Sequence, residues 1–425
     1  MAGRNVVQKI LARASGKQSV ETGDYVIVRS NCITTFGGDG DARGLNQLDP
    51  EVKPYAFDPK KIGIIVGHAG AGGIPQIIGN NRAKLRKWAE AAGVPRENIF
   101  DLGAQGVEHV VAGELAWALP GEVYLSVTDG HTTALGALGG FAIALSYGSG
   151  EYITTGQTWV QVPPVARITL NGRARPGVFA RDVYEYVLGQ LGPNGTPSQV
   201  ILWDGDYVSN LDMDARFTLC ANALYSSAWT NLIEPDEVTL RYVRERTKQN
   251  FTPQYGDADA EYAQQLSFDV SNIEPQIVPP PTRHLSSSIS KFAGTRISKA
   301  HIGTCANGRY EDLKLAAMVL KGHKVHPDVV LNITAGSTNV YRRCLDEGLI
   351  AIFMDAGVFL PPASCGMCSG GSNTPLADGD VCISSGTCNY PGRMGSHKAD
   401  IYLASPASVA ASSITGEITD PRQFL

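Results

Sequence analysis

No stretch of this chain runs through the roughly 18 uninterrupted apolar residues that a membrane-spanning helix requires; glycine or charge interrupts every candidate. No membrane span and no membrane partner are expected. Charge is also scarce: 18% of residues are charged, with 36 Lys and Arg against 41 Asp and Glu and a net charge of −5. Nucleic-acid backbone binding needs concentrated Lys and Arg, so that partner is excluded. Eight cysteines in 425 residues are too few for a disulfide scaffold and indicate free or metal-bound thiols in a reducing, cytoplasmic setting. The first twenty residues have no continuous apolar core and no small-residue cleavage site. Val6, Val7, Ile10 and Leu11 stand at helical spacing there, which predicts a first helix rather than a signal peptide. No internal repeat and no low-complexity tract is present. What the chain has in quantity is glycine, 47 residues, and 43% hydrophobic residues, the composition of a globular protein with many tight turns.

The length predicts about two to three domains. Short β-branched runs alternate with amphipathic stretches, which predicts α/β domains with mainly parallel sheets and sites at the carboxyl ends of strands. Ile62 to Val66 and Val123 to Val127 read as buried strands, and His68 and His131 fall just past them. Asn80 to Ala92 reads as a helix capped by Asn81 and closed near Gly93. Val165 to Leu170, ending at Asn171-Gly172, reads as a hairpin or a domain entry after Pro163-Pro164. Asp182 to Leu191 is a predicted helix, Gln199 to Trp203 a strand, and Met213 to Asn231 one long helix, followed by a charged, polar stretch from Arg241 to Gln265. The proline run at 279–281 makes Glu274 to Ser290 an expected extended linker. Beyond it come a strand from Ala300, a helix from Tyr310 to Leu320, a strand from Asp328 to Thr334, a helix from Tyr341 to Gly348 and a strand from Ile350 to Met354. Three α/β domains are expected: residues 1–163 carrying His68, His109, Asp129 and His131, then 164–283, then 284–425 carrying the cysteines.

The chemistry concentrates in Gly303-Thr304-Cys305-Ala306-Asn307-Gly308-Arg309 and Cys365-Gly366-Met367-Cys368. A closed structural metal site normally takes four protein ligands, whereas a catalytic metal keeps one position for water or substrate. Three thiols, Cys305, Cys365 and Cys368, therefore point to a Lewis acid with an open place. The glycines around them let the backbone fold closely about a cluster. Cys32, Cys220, Cys344 and Cys382 read as core residues.

Taken together, these segments resemble the large (catalytic) subunit of the aconitase and isopropylmalate dehydratase superfamily. The first resembles that family's Gly-Ser-Cys-Thr-Asn-Gly-Arg segment and the second its Cys-x-x-Cys. Thr128-Asp129-Gly130-His131-Thr132 resembles its Gly-Asp-Ser-His-Thr, and Asn389-Tyr390-Pro391-Gly392-Arg393 its Asn-Phe-x-Gly-Arg. Phe100 to His109 and Ser405 to Ala411 fit as well, so the resemblance covers nearly the whole chain. It implies a [4Fe-4S] cluster held by Cys305, Cys365 and Cys368, with His68, His109, Asp129 and His131 as the proton-handling set. It implies a small carboxylic acid as substrate and hydration or dehydration as the reaction. It also implies a separate small subunit that supplies a fourth, swivelling domain, and a heterotetramer as a possible assembly.

Departures from the family pattern mark the active site as altered. Gly67 stands where Asp is usual, Gly130 where Ser is, Ala221 and Tyr225 where Asn and Glu are, and Thr387-Cys388 where Asn-Arg is. Two histidines are thus expected to lose their carboxylate partners, and a carboxylate clamp is lost at Cys388, leaving Arg393 to hold the remaining carboxylate. Tyr225 offers a phenol as donor or acid/base. Simple hydration or dehydration is favoured over the isomerase outcome of the isopropylmalate or homoaconitate kind, which needs two clamps. Two other readings follow from the same departures: Cys388 as a fourth ligand closing a non-catalytic cluster, or a non-enzymatic binding subunit.

Overall fold

The computed structural model describes residues 3–36, 55–68, 75–127, 129–145, 148–368 and 373–425. The first helix, Val6–Ser15, forms where expected. The Asn5 side chain accepts from the Gln8 backbone, the Gln8 side chain accepts from the Asn5 backbone, and Gly16 closes the helix in the left-handed conformation.

Among the described residues, three larger sheets and a two-stranded ribbon form. The first has five parallel strands in the order Ile99–Phe100, Ile62–Ile65, Cys32–Thr35, Val123–Val127, Phe141–Leu145. Its three central strands are buried along their whole length, because helices cover both faces. The second sheet is also fully parallel, in the order Thr230–Ile233, Val200–Asp204, Val165–Asn171, Gln264–Asp269. In the third sheet, Asp400–Ala404, Val381–Ser384, Lys299–Ile302 and Val330–Ile333 are parallel, and Gln276–Val278 and Ser287–Ser288 add an antiparallel edge. A two-stranded antiparallel ribbon pairs Tyr25–Arg29 with Gln157–Gln161. Among the described residues no helix is long and apolar enough to cross a membrane.

Several local expectations are corrected. The helix expected from Asn80 begins at Pro75 and ends at Ala91, so Asn81 lies inside it; proline suits the first helical turn, where its missing N–H costs nothing. The run from Val165 forms no hairpin but a parallel strand flanked by two others. Met213 to Asn231 is not one helix. It is the helix Met213–Cys220, a 3-10 turn Ala223–Ser226, and the strand Thr230–Ile233, whose residues are drawn into the sheet beside Val200–Asp204. The polar stretch after it opens with a helix, Glu237–Arg244. Glu274 to Ser290 is not a free linker, since two strands of the third sheet lie in it. Ile350 to Met354 belongs to a helix, Leu349–Ala356, because Gly348 and Gly357 bracket it in left-handed conformations and Leu349, Ile350, Phe353 and Ala356 bury one helical face.

Candidate functional site

The carboxyl ends of the first and third sheets converge, as parallel sheets place their sites. From the first sheet, His68 follows Ile62–Ile65, Asp129 and His131 follow Val123–Val127, and His109 lies on the helix Glu108–Glu114. From the third, Cys305 follows Lys299–Ile302, and Thr387 and Cys388 follow Val381–Ser384. The two edges are tied directly: the Cys365 backbone N–H donates to the His68 carbonyl at 2.8 Å.

Asp129 is the hub of the first edge. Its Oδ1 accepts from the His131 backbone N–H at 2.9 Å and lies 3.1 Å from His131 Nδ1. Its Oδ2 lies 3.2 Å from His109 Nε2 and 3.5 Å from His68 Nε2. Burial alone would push this carboxyl up, yet the His109 and His131 rings beside it hold it well below the usual carboxylate range. The expectation that two histidines lose their carboxylate partners is therefore overturned. Asp129 caps the 3-10 segment Gly130–Leu138, and that cap turns its carboxylate back among all three imidazoles.

The hydrogen-bond network assigns the ring protons. An ionised carboxylate only accepts, so His131 donates from Nδ1, and its Nε2 accepts from the Tyr225 hydroxyl at 3.3 Å. The Glu108 backbone N–H donates to His68 Nδ1 at 3.1 Å, which puts the neutral ring's proton on Nε2, facing Asp129. The ligand atoms of His68, His109 and Asp129 lie within 4.8 Å of one another, a spacing a metal ion could use. A protonated Nε2 on His68, however, has no lone pair to give a cation. Among the described residues, His109 Nδ1 is buried without a partner.

Glu108 was not singled out by sequence, although it directly precedes His109. It is fully buried, accepts from the Ser126 hydroxyl at 2.7 Å and from the Thr34 hydroxyl, and is pushed up to about 7 by burial. Arg283 and Glu185 were missed as well, since nothing near them in sequence marks a site. The Arg283 guanidinium lies 4.7 Å from the centre of the Tyr225 ring, and its Nη1 donates to both Glu185 oxygens at 2.8 Å. Glu185 also pairs with Arg181, which reaches the Ser385 and Gly386 carbonyls and Asn307. Tyr225 is thereby fixed from beneath.

On the second edge, Cys305, Cys365 and Cys368 are free and buried, and pack in one cluster. Gly366 has φ 59°, and a Cβ there would lie 2.5 Å from His301 Nε2, so only glycine fits between the two thiols. Arg393 Nη2 donates to Cys368 Sγ at 2.9 Å, and the Thr387 hydroxyl lies 3.6 Å from the same sulfur. The Cys365 thiol and the Arg393 guanidinium hold Cys368 well below the usual thiol range, while burial and Cys368 push Cys305 up. Among the described residues, Arg393 Nε is buried without a partner. Cys388 packs in a different cluster, together with Tyr225. Gly130 opens the 3-10 segment, where an added Cβ would meet Leu224 at 3.3 Å.

Three buried thiols with no disulfide between them, one polarised by a guanidinium, are a donor set suited to a thiophilic metal centre.

A model of the aconitase family (aconitate hydratase) matches residues 78–295 and 282–416. The chain is 36% identical to the 3-isopropylmalate dehydratase large subunit 1 of Methanopyrus kandleri and 35% identical to the 3-isopropylmalate dehydratase large subunit of Halothermothrix orenii, covering all of both chains in each case. It is 33% identical, over all of this chain and 99% of the other, to a protein of Methanothermobacter thermautotrophicus named "Probable methanogen homoaconitase large subunit". The paired sheet edges and these full-length matches agree: the chain belongs to the aconitase family.

Proposed function

We propose that this chain is the large, catalytic subunit of a cytoplasmic hydro-lyase that adds water to, or removes it from, a small hydroxy or unsaturated carboxylic acid. The observation that carries the reading is the ionised Asp129 shared by three imidazoles, directly opposite three free thiols. Cys305, Cys365 and Cys368 would hold a [4Fe-4S] cluster, which when bound supplies a Lewis acid to the substrate oxygen. His109 is anchored on Asp129 through Nε2, and its Nδ1 has no protein partner among the described residues; as the imidazolium it would give its Nδ1 proton to that oxygen and be left as the neutral ring. Tyr225 and His131 form a second relay. A proton taken up at the phenol oxygen passes to His131 Nε2, and Asp129 stabilises the resulting imidazolium. Arg393, whose buried Nε has no partner among the described residues, would hold one substrate carboxylate. Cys388 cannot clamp a second, which favours simple hydration or dehydration over isomerisation.

The names of the relatives, each a large subunit, support a separate small subunit that closes the cleft. The test is anaerobic reconstitution with iron and sulfide, with and without the small subunit, assayed on short hydroxy and unsaturated acids. Turnover lost in His109→Gln at unchanged iron and sulfide content is expected. Full turnover in that variant, or no uptake of iron by the three thiols, overturns the reading.

A further inference from the structure

Beside Arg309, a cavity of roughly 210 Å³ is lined by three arginines, Arg246, Arg309 and Arg343, from three different segments. Each guanidinium lies over an aromatic ring: Arg246 3.5 Å from the centre of Tyr242, Arg343 3.4 Å from Tyr310, and Arg309 4.4 Å from Phe217. Stacking occupies the flat faces and leaves the N–H edges to make hydrogen bonds. Among the described residues, Arg246 uses only Nη1, toward the Tyr242 carbonyl at 2.9 Å and Glu245 at 3.4 Å. Arg343 uses only Nε, toward Glu347 at 2.8 Å. Nε and Nη2 of the first and both Nη groups of the second have no protein acceptor there.

Two carboxyls, Glu114 and Asp214, line the same cavity, yet neither forms an ion pair with the three arginines among the described residues. Glu114 is instead held by Ser337 and Asn339, and Asp214 by the Glu311 backbone. Burial raises both, Glu114 to about 7, which weakens the negative charge they offer. Arg309, almost fully buried, forms the floor and donates to the Cys305 carbonyl at 2.6 Å and the His109 carbonyl at 3.4 Å. The cavity thus sets free guanidinium edges above a floor that touches the backbone of both halves of the candidate active site.

We propose that this cavity is a second, non-catalytic site for a small oxyanion, a phosphate or a carboxylate, held between the free edges of Arg246 and Arg343 over Arg309, and that its occupancy alters turnover through the Arg309 contacts to Cys305 and His109. The site does not depend on the identity of the substrate. The test uses the reconstituted holoenzyme and the Arg246→Gln/Arg343→Gln double variant, whose replaced side chains are partly exposed. Inorganic phosphate and acetate are titrated separately, with the thermal midpoint read first and turnover second. A saturable rise in midpoint is expected for one of the two anions, which identifies the class. The apparent affinity should be at least about tenfold weaker in the double variant, the loss expected for one or two charge-assisted hydrogen bonds. Turnover without added anion should stay unchanged in the variant, and the anion's effect on turnover should vanish with the binding. Equal midpoint shifts in both proteins, or no saturable shift in wild type, overturns the site. Binding with no change in turnover overturns the coupling.

Discussion

The two halves of the candidate site are built on opposite electrostatic plans. On the first-sheet edge a carboxylate is answered by imidazoles: Asp129 faces His68, His109 and His131, and Glu108 rests on Ser126 and Thr34. On the third-sheet edge three sulfurs converge with one guanidinium among them, and burial pushes Cys305 away from ionising. On the proposed reading, the second half would be completed by the metal centre that its thiols hold. The difference teaches that the carboxylate–imidazole group is preorganised by the fold, whereas on the proposed reading the electrophile would be assembled on the thiols.

The comparison is broken most directly at Asp129. Asp129→Asn removes the anion shared by three rings without removing a ligand, so kcat should fall by about 10³–10⁴-fold. Iron and sulfide content should stay at the wild-type level. A variant that loses its iron along with its turnover would show that the halves are not separable.

The next largest effect concerns stability. The Glu108 carboxyl sits at about 7 in the folded protein against an ordinary 4.5. The folded state therefore holds the extra proton between those values, and this group's contribution to stability falls as pH rises from 4.5 to 7 and is level above. Glu108→Gln cannot ionise, so its unfolding free energy relative to wild type should improve across that window, by at most about 3 kcal/mol. Urea midpoints at the two ends of the window measure it, and a difference that does not change with pH would contradict the burial of an acid there.

The smallest effect sharpens the relay. Tyr225→Phe keeps the ring over Arg283 but removes the hydroxyl next to His131. A loss of about 10–100-fold in kcat is expected, with little change in KM, as for one acid/base group removed. A change confined to KM would make Tyr225 a binding residue instead.

Much of this was legible in the chain because it is local. Buried strands appear as β-branched runs, as in Val123–Val127, and the thiol segments announce themselves by their glycines, one of which, Gly366, has no room for a side chain. Tertiary pairing overrides local pattern at two places: the predicted helix Met213 to Asn231 gives up Thr230 and Asn231 to the strand Thr230–Ile233, and the predicted strand Ile350 to Met354 lies within the helix Leu349–Ala356, whose buried face is helical. The apolar runs there are too short for periodicity to decide.

By itself the sequence determined the inventory: three thiols beside flexible backbone, an Asp two residues before a His, and a phenol and a thiol at positions 225 and 388. Those are properties of residue type and spacing, fixed before any folding. Only the tertiary structure decided that one carboxylate serves all three imidazoles, that Arg393 points at Cys368, and that Arg283 lies under Tyr225. Each of those facts joins segments far apart in the chain, and distance in space is what sets how strongly charges act on one another.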